Sequence, residues 1–411
     1  MPARWKLILA LTLPGIALIA AVFWWSPSHS KPGIRIGVVH SLSGTMAQSE
    51  KPLVDAVRLA VEEINARGGL LGGRKVEMIV ADGKSDNAIF AAEAERLITE
   101  KKVSALFACW TSACRKAVKP VVERHKHLMF YPLQYEGLEQ SPNILYTGSA
   151  PNQQIIPGTR WALQKFGQRV YLLGSDYVFP RTANIIIRDL ITATGGKVVA
   201  ERYMPLGSTE VAAIIADIRL KKPDVVINTL NGDSNAALFS GLLEAGLARQ
   251  PLLSFSVAEG EMLAWGGARL SEHYSVWSYF QSLPNASNRR FVAAWQARFG
   301  ADQPTSDPVE AAYVGVHLWA QAVRDAGASD PARVNPALLR QSLSSPSGIA
   351  AVDAGSRHLW KALRIGKVRP DGQFEQMLTS NELLRPEPWP HYRSREAWRA
   401  LVDTALPKGP P

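Results

Sequence analysis

Three clusters of small polar and aromatic side chains each follow a short apolar run with the composition of a β-strand. In an open α/β sheet, the loops beyond the carboxyl ends of the strands hold the ligand. The clusters offer neutral hydrogen-bonding groups and rings, without a nucleophile–base pair or a set of metal ligands. This chemistry favours holding a small polar molecule over reacting with it. The clusters are residues 110–112, 131–135 and 174–179. The apolar runs that precede them are residues 106–107, 128–130 and 170–173, respectively.

Aromatic side chains in these clusters could form the flat walls of a binding pocket. Any one ring alone is better explained by core packing, but their grouping at successive strand ends favours pocket walls. The rings are Trp110, Tyr131, Tyr135, Tyr177 and Phe179.

Three further polar residues are candidates for ligand contact. The Ser112 hydroxyl could bind a ligand, cap the helix that begins there, or do both. Asp233 follows a strand-like run at residues 224–229, and Glu259 follows another at residues 252–256. Carboxylates accept N–H hydrogen bonds strongly, although either could instead cap a helix or pair with an arginine.

The elements that would position these clusters alternate between strand and helix patterns. Residues 34–39 have the alternation of a strand, and residues 54–65 have apolar side chains at helical spacing. The alternation continues to residue 146 and then restarts with a helix at residues 152–166. The sequence therefore predicts two α/β units in series, each with a mostly parallel sheet flanked by helices.

The composition is that of a folded protein, with 46% hydrophobic and 20% charged residues. After the first segment, about 380 residues remain, which fits two domains better than one core. The formal charge of +10 comes from scattered basic residues. They form no basic stripe with interleaved aromatics, so we expect no nucleic-acid partner.

Both cysteines, Cys109 and Cys114, lie in the first cluster. They could pair in an oxidising compartment, but their spacing leaves the geometry of a bond open. A zinc site is not expected, because no neighbouring set of ligands is present.

The first 33 residues predict export, as a signal peptide or an N-terminal membrane anchor followed by a linker. Arg4 and Lys6 precede an uncharged apolar run at residues 7–25. Its length of roughly 19 residues lies between that of a signal peptide's apolar region and that of a membrane-spanning helix. No convincing cleavage site or lipoprotein cysteine follows, so both alternatives remain open. Either would place the remaining chain in the periplasm or at the cell exterior.

Several blocks of the sequence resemble one family of transport proteins, from about residue 34 to about residue 398. The blocks are GVVHSLSGTMAQSE at residues 37–50, YPLQYEG from residue 131, GSDYVFPRTAN from residue 174, and NTLNGDSN at residues 228–235. They resemble the urea and short-chain-amide binding proteins of ABC transporters. These belong to the branched-chain amino-acid type of periplasmic binding protein.

The resemblance implies a two-lobe type I periplasmic binding protein fold, in which the chain crosses between the lobes three times. On this basis, lobe 1 would comprise residues 34–148 and 282–349. Lobe 2 would comprise residues 149–281 and 350–406. The two lobes would close on a ligand like a venus flytrap, by hinge bending.

The resemblance also adds to the candidate site. Ser112 and Tyr131 lie where related amide binders contact their ligand, and Gln134 matches the urea branch. Leu133 and Gln134 depart from the Thr-Pro pair of the amide-sensor branch. Urea is planar and neutral, with N–H donors and one carbonyl, so its site must supply acceptors, a donor and flat walls.

The implied function is capture of urea or a short-chain amide for an ABC permease and its ATPase. The alternative is a membrane-tethered urea or amide sensor that signals to a regulatory partner. A hydrolase is disfavoured, because urea hydrolysis requires a metal centre and the eight histidines form no metal set with carboxylates. We therefore predict no enzyme activity, no catalytic residue, no metal and no cofactor.

Overall fold

The computed structural model describes residues 32–405, in which strands and helices alternate along most of the chain. The first unit comprises β1 (Ile34–His40), α1 (Ala47–Ala66), β2 (Val76–Asp82), α2 (Asn87–Thr99), β3 (Leu106–Ala108), α3 (Ser112–Arg124), β4 (Met129–Tyr131) and β5 (Ile144–Tyr146). The second unit comprises α4 (Ile155–Phe166), β6 (Arg169–Ser175), α5 (Val178–Ala193), β7 (Lys197–Met204), α6 (Ala212–Lys221), β8 (Val225–Thr229), α7 (Ser234–Glu244), β9 (Leu252–Ser254), α8 (Glu259–Ala264) and β10 (His273–Trp277). The remaining elements are α9 (Ala286–Phe299), α10 (Asp307–Ala326), α11 (Pro331–Leu338), β11 (Ser342–Ser345), β12 (Gly348–Asp353), β13 (His358–Trp360), β14 (Arg364–Val368), β15 (Phe374–Thr379) and α12 (Arg395–Ala405).

Strand pairing builds two sheets, one in each lobe. The first sheet has the order β11-β12-β13-β5-β4-β3-β1-β2, and the second has the order β15-β14-β10-β9-β8-β6-β7. Pairing among β1–β5 and among β6–β10 is parallel, whereas β11, β12, β14 and β15 pair in antiparallel fashion. The predicted fold class, two lobes that each hold a mostly parallel sheet flanked by helices, is confirmed.

The chain passes between the sheets three times, after β5, after β10 and after β13. The boundary expected between residues 349 and 350 falls inside β12, which pairs with both β11 and β13. Because this antiparallel hairpin extends the first sheet, strand pairing moves the boundary to a point after Trp360. The other lobe bounds stay a prediction.

Hydrogen bonds link the three crossings to one another. Ser149 Oγ lies 2.9 Å from Ser278 Oγ, which joins the first crossing to the second. Arg364 Nη1 donates to the carbonyl of Ser278, which joins the second crossing to the third. Asp307 Oδ2 accepts a 2.9 Å hydrogen bond from the backbone N–H of Ser278. Hydrogen bonds therefore join the three crossings into one polar segment between the sheets.

Residues 1–31, which include the predicted signal or anchor at residues 7–25, lie outside the part of the chain that the structure describes. Within residues 32–405, no helix combines the length and the apolar composition that crossing a bilayer requires.

Helix α1 forms because its apolar residues recur at helical spacing, and its buried face includes Leu53, Val57 and Ile64. Burying each such side chain contributes about 1.5–3 kcal/mol. The helix ends where Gly68 and Gly69 take φ values of 96° and 77°. A Cβ on Gly69 would lie 2.3 Å from the carbonyl oxygen of Arg74, so this turn requires glycine.

The parallel register brings the ends of neighbouring strands to one edge of each sheet. In the first sheet, Val39 lies opposite both Ala81 and Ala108. In the second sheet, Asn228 lies opposite Leu173 and Ser254. The loops that follow these strands are therefore neighbours within each lobe, as the sequence predicts.

Candidate ligand-binding site

A cavity of about 190 Å³ lies between the two lobes, beside the ends of the strands. This volume is below the ~300–1,000 Å³ of sites for drug-sized ligands, so it suits a molecule of a few heavy atoms. Seven of the nine lining residues come from the first lobe and two from the second. They are Met46, Glu50, Ser85, Asn87, Phe90, Thr111, Ala113, Tyr177 and Leu206.

A larger groove of about 560 Å³ lies on the helices of the first lobe, between Arg67, Phe291 and Arg324. It is lined by α1, α9, α10 and the end of β11, and by no residue of the second lobe. Because parallel α/β sheets bind ligands beyond their strand ends, we place the candidate site in the smaller cavity between the lobes.

The loop between β3 and α3 forms one wall of this cavity. Thr111, and not Ser112, caps α3, and its Oγ1 accepts a 3.1 Å hydrogen bond from the backbone N–H of Cys114. Cys109 and Cys114 are joined by a disulfide, and both are buried. Cys109 has a φ of 72°, a left-handed conformation that is uncommon for a residue other than glycine. The bond and the cap together fix residues 110–112 in place.

Ser112 belongs to a buried charge network behind that loop. Its Oγ donates to Glu136 Oε2 at 2.5 Å and accepts from Arg115 Nη1 at 2.9 Å. Arg115 is fully buried and also donates to Glu136 Oε1 at 3.0 Å and to Glu139 Oε1 at 2.8 Å. The guanidinium therefore has its charge balanced inside the protein.

Opposite charges decide the protonation of this network. Burial acts to lower the pKa of Arg115, but the carboxylates of Glu139 and Glu136 outweigh it and hold that pKa well above its usual range. Burial acts to raise the pKa of Glu139, but Arg115 and Lys116 lower it to about 2. Arg115 and Glu139 are consequently both ionised at neutral pH.

Tyr131 and Tyr135 support Arg115 from within the first lobe. The guanidinium carbon lies 4.8 Å from the centre of the Tyr131 ring and 4.5 Å from that of Tyr135. Tyr131 donates a 2.6 Å hydrogen bond to the carbonyl of Trp110, and the Tyr135 hydroxyl lies 2.7 Å from His358 Nε2. Neither ring lines the cavity, and both hydroxyls have partners within the protein.

Two predicted residues connect the lobes. Trp110 Nε1 donates to Asn231 Oδ1 at 3.2 Å. Gln134 Nε2 donates to the carbonyl of Phe255 and to Ser256 Oγ, both at 2.9 Å. These hydrogen bonds join residues that follow strands of the first sheet to residues that follow strands of the second.

Tyr177 is the predicted residue that lines the cavity itself. Burial, with the nearby Tyr131 and Glu136, raises the pKa of Tyr177 well above its usual range. Its hydroxyl is therefore neutral and can donate to a ligand. Phe179 instead packs in the core of the second lobe, and 2% of it is exposed.

Neither of the two predicted carboxylates lines the cavity. Asp233 is exposed at the start of α7, and its backbone N–H donates to Thr45 Oγ1 at 3.4 Å. Glu259 is fully buried, and its Oε1 accepts a 2.8 Å hydrogen bond from the backbone N–H of Gln281, just after the second crossing. Burial raises the pKa of Glu259 to about 8.

Sequence reasoning missed the carboxylate that does line the cavity, which is Glu50. It lies in the first turn of α1 and is 2% exposed. Its Oε2 accepts from the backbone N–H of Ser41 at 2.9 Å and lies 3.1 Å from His40 Nδ1. Glu136 was missed as well. Both glutamates lie in sequence blocks that carry the family resemblance, and that location could have marked them as site residues.

Comparison with known proteins identifies relatives over nearly the whole described chain. The model of the periplasmic binding protein domain family matches residues 34–395. Leu/Ile/Val-binding protein homolog 6 of Brucella melitensis biotype 1 is 25% identical over 368 residues, which are 86% of this chain and 92% of that protein.

Solved structures of similar fold include two solute-binding proteins of ABC transporters from Rhodopseudomonas palustris. The protein from R. palustris HaA2, solved with p-hydroxybenzoic acid, is 25% identical to this chain and superposes with a TM-score of 0.76. The match covers 87% of this chain and 99% of that protein. The protein from R. palustris BisB5, solved with 3,4-dihydroxybenzoic acid, is 22% identical to this chain and superposes with a TM-score of 0.78. The match covers 86% of this chain and 99% of that protein. The latter likeness shows the fold alone.

Proposed function

Because this chain belongs to the periplasmic binding protein domain family, we propose that it captures urea or a short-chain amide in the cavity between its lobes. The family and the relatives make the chain an extracytoplasmic solute-binding protein of the ABC transporter type, not an enzyme. Such a protein takes a small molecule as its ligand and an ABC permease as its partner. The identity of the ligand is the proposed step.

The observation that supports this ligand is the charge of the cavity. Among its nine lining residues, Glu50 is the one charged side chain, and no lysine, arginine or histidine lines it. A carboxylate ligand is usually held by a guanidinium, an ammonium or several free N–H groups. Arg115, the buried guanidinium of this region, is already bound by Glu136 and Glu139. The cavity therefore favours a ligand that donates N–H groups.

The remaining lining residues suit a small planar molecule. Phe90 and Tyr177 provide rings, and Thr111 and Ser85 provide hydroxyls. Glu50 Oε2 is occupied by Ser41 and His40, which leaves Oε1 to accept N–H groups of the ligand. The neutral Tyr177 hydroxyl can donate to a carbonyl oxygen. Urea, acetamide and formamide all offer this pairing.

We assign the predicted site residues two kinds of role. Tyr177 contacts the ligand. Ser112 and Tyr131 position the wall that Thr111 presents, and Trp110 and Gln134 join the lobes when they close. Tyr135 and Phe179 support these residues from the two cores, while Asp233 and Glu259 do not contact the ligand.

The names of relatives favour a second candidate, an amino acid or an aromatic acid. The Brucella relative is named for leucine, isoleucine and valine, and the HaA2 relative was solved with p-hydroxybenzoic acid. Each of these ligands carries a carboxylate. The ammonium group of an amino acid could pair with Glu50, but the carboxylate of either kind of ligand would have no lining cation in this cavity.

Thermal unfolding with millimolar ligands separates the two candidates. A ligand that binds the folded state alone stabilises it by RT ln(1 + [L]/Kd), which is about 2.7 kcal/mol at one hundred times Kd. We expect urea, acetamide or formamide to raise the Tm and leucine and p-hydroxybenzoate to leave it unchanged. Stabilisation by the acids alone would reject the proposal. Tyr177→Phe serves as the control, because it should weaken the shift that urea or the amide causes.

A further inference from the structure

Glu50 is a buried anion for which the protein supplies little positive charge. It is 2% exposed, and its one ion-pair partner within residues 32–405 is His40, with Nδ1 3.1 Å from Oε2. Its other hydrogen bond is from the backbone N–H of Ser41. Its position in the first turn of α1 also places it at the positive end of the helix dipole.

The guanidinium of Arg115 does not supply a positive charge to Glu50. Arg115 directs its hydrogen bonds to Glu136, Glu139 and Ser112, so its charge is used within the first lobe. Removing a carboxylate from water without a paired cation is costly. A cationic ligand in the cavity would supply the missing charge to Glu50.

The rings of the cavity fit the same class of ligand. Phe90 and Tyr177 both line it, one from each lobe. Flat, delocalised cations stack on aromatic faces and pair with carboxylates through parallel N–H groups. Guanidinium has the shape and heavy-atom count of urea, and acetamidinium has those of acetamide, so the 190 Å³ cavity admits each cation wherever it admits the neutral isostere.

We propose that the cavity binds planar amidinium cations, such as guanidinium and acetamidinium, more tightly than their neutral isosteres, with Glu50 as the counter-ion. This inference rests on the proposed function, because it places the cation in the cavity assigned to urea or a short amide. It makes Glu50 the residue that sets the charge preference of the site.

Isothermal titration of the full-length protein tests this with two matched pairs, guanidinium against urea and acetamidinium against acetamide. All titrations use low millimolar ligand and the same total chloride concentration, so that salt effects cancel. The wild type should bind each cation about tenfold or more tightly than its neutral isostere, because a charge-assisted hydrogen bond replaces a neutral one. Glu50→Gln should abolish that preference, because it weakens the binding of each cation more than that of its neutral isostere.

Glu62→Gln is the control, since Glu62 lies on the same helix but is half exposed and paired with Arg298. It should preserve the preference of the wild type for the cations. The wild-type comparison stands even if Glu50→Gln does not fold.

Equal or weaker binding of the cations, or a cation preference that survives Glu50→Gln, would overturn the inference. If urea or acetamide binds and the cations do not, the inference fails while the proposed function stands. If none of the four binds, both fail.

Discussion

Ser112 Oγ donates a 2.5 Å hydrogen bond to Glu136 Oε2, which ties the first turn of α3 to the loop after β4. Arg115 binds both residues, and its guanidinium lies over the rings of Tyr131 and Tyr135. The wall that Thr111 and Ala113 present to the cavity is therefore held by a charge network in the first lobe. The geometry of the site depends on residues that do not touch the ligand.

Arg115→Met should strongly destabilise the protein, because it leaves Glu136 and Glu139 buried without their cation. Breaking a buried pair from one side costs about 3–5 kcal/mol. Lys116→Met is the matched control, since Lys116 also pairs with Glu139 but its side chain is 43% exposed. Its loss should cost less than ~1 kcal/mol. Thermal unfolding measures both, and equal losses would show that burial of the network does not matter.

Tyr177→Phe and Tyr131→Phe should separate ligand contact from support. Tyr177 lines the cavity, so removing its hydroxyl should weaken ligand binding by roughly two- to tenfold and leave stability nearly unchanged. Tyr131 donates to the carbonyl of Trp110, so removing its hydroxyl should reduce the unfolding free energy by about 1–3 kcal/mol. Titration and thermal unfolding of both variants test this, and the reverse pattern would assign the ligand contact to Tyr131.

Replacing Cys109 and Cys114 with alanine should loosen the loop that they enclose. The chain-entropy model gives about 2 kcal/mol of lost stability for so short a loop. Ligand affinity should fall as well, because Trp110 and Thr111 lie within the loop. Thermal unfolding and titration of the double variant measure both effects. Unchanged stability and affinity would show that the Thr111 cap suffices.

Glu259→Gln should remove part of the pH dependence of stability. Burial raises the pKa of Glu259 to about 8 in the folded protein, whereas an unfolded glutamate titrates near ~4.3. Between these values the folded state holds a proton that the unfolded state has lost, so the contribution of Glu259 to stability falls as pH rises from about 4.3 to 8. The variant should therefore gain stability relative to the wild type over that range.

Unfolding curves at several pH values measure this difference. Asp233→Asn is the control for loss of one carboxylate, because Asp233 is exposed. If the difference between Glu259→Gln and the wild type were the same at pH 5 and pH 8, Glu259 would not be the titrating group.

The strand ends could be predicted because apolar runs and turn residues are local signals. The loop at residues 110–112 and Tyr177 lie at strand ends on the cleft side, as predicted. The cap of α3 is Thr111 and not Ser112, since adjacent hydroxyl residues satisfy the same local preference.

The roles of single rings and carboxylates could not be predicted in the same way. Tyr135 stacks on Tyr146 at 5.1 Å inside the first lobe, and residue type alone does not separate such a ring from a pocket wall. The roles of Glu50 and Glu136 depend on the order of the strands in the sheet, because that order decides which loops lie side by side. That information is long-range, because Glu136 meets Ser112 across 24 positions.

Isothermal titration of ligand-free protein with urea, acetamide, leucine and p-hydroxybenzoate tests the identity of the ligand most directly. Unfolding and refolding the protein first would remove any ligand carried through purification. The cavity predicts saturable one-site binding of urea or acetamide, and no binding of either acid at the same concentrations. Tighter binding of leucine or p-hydroxybenzoate than of urea and acetamide would contradict the proposed function.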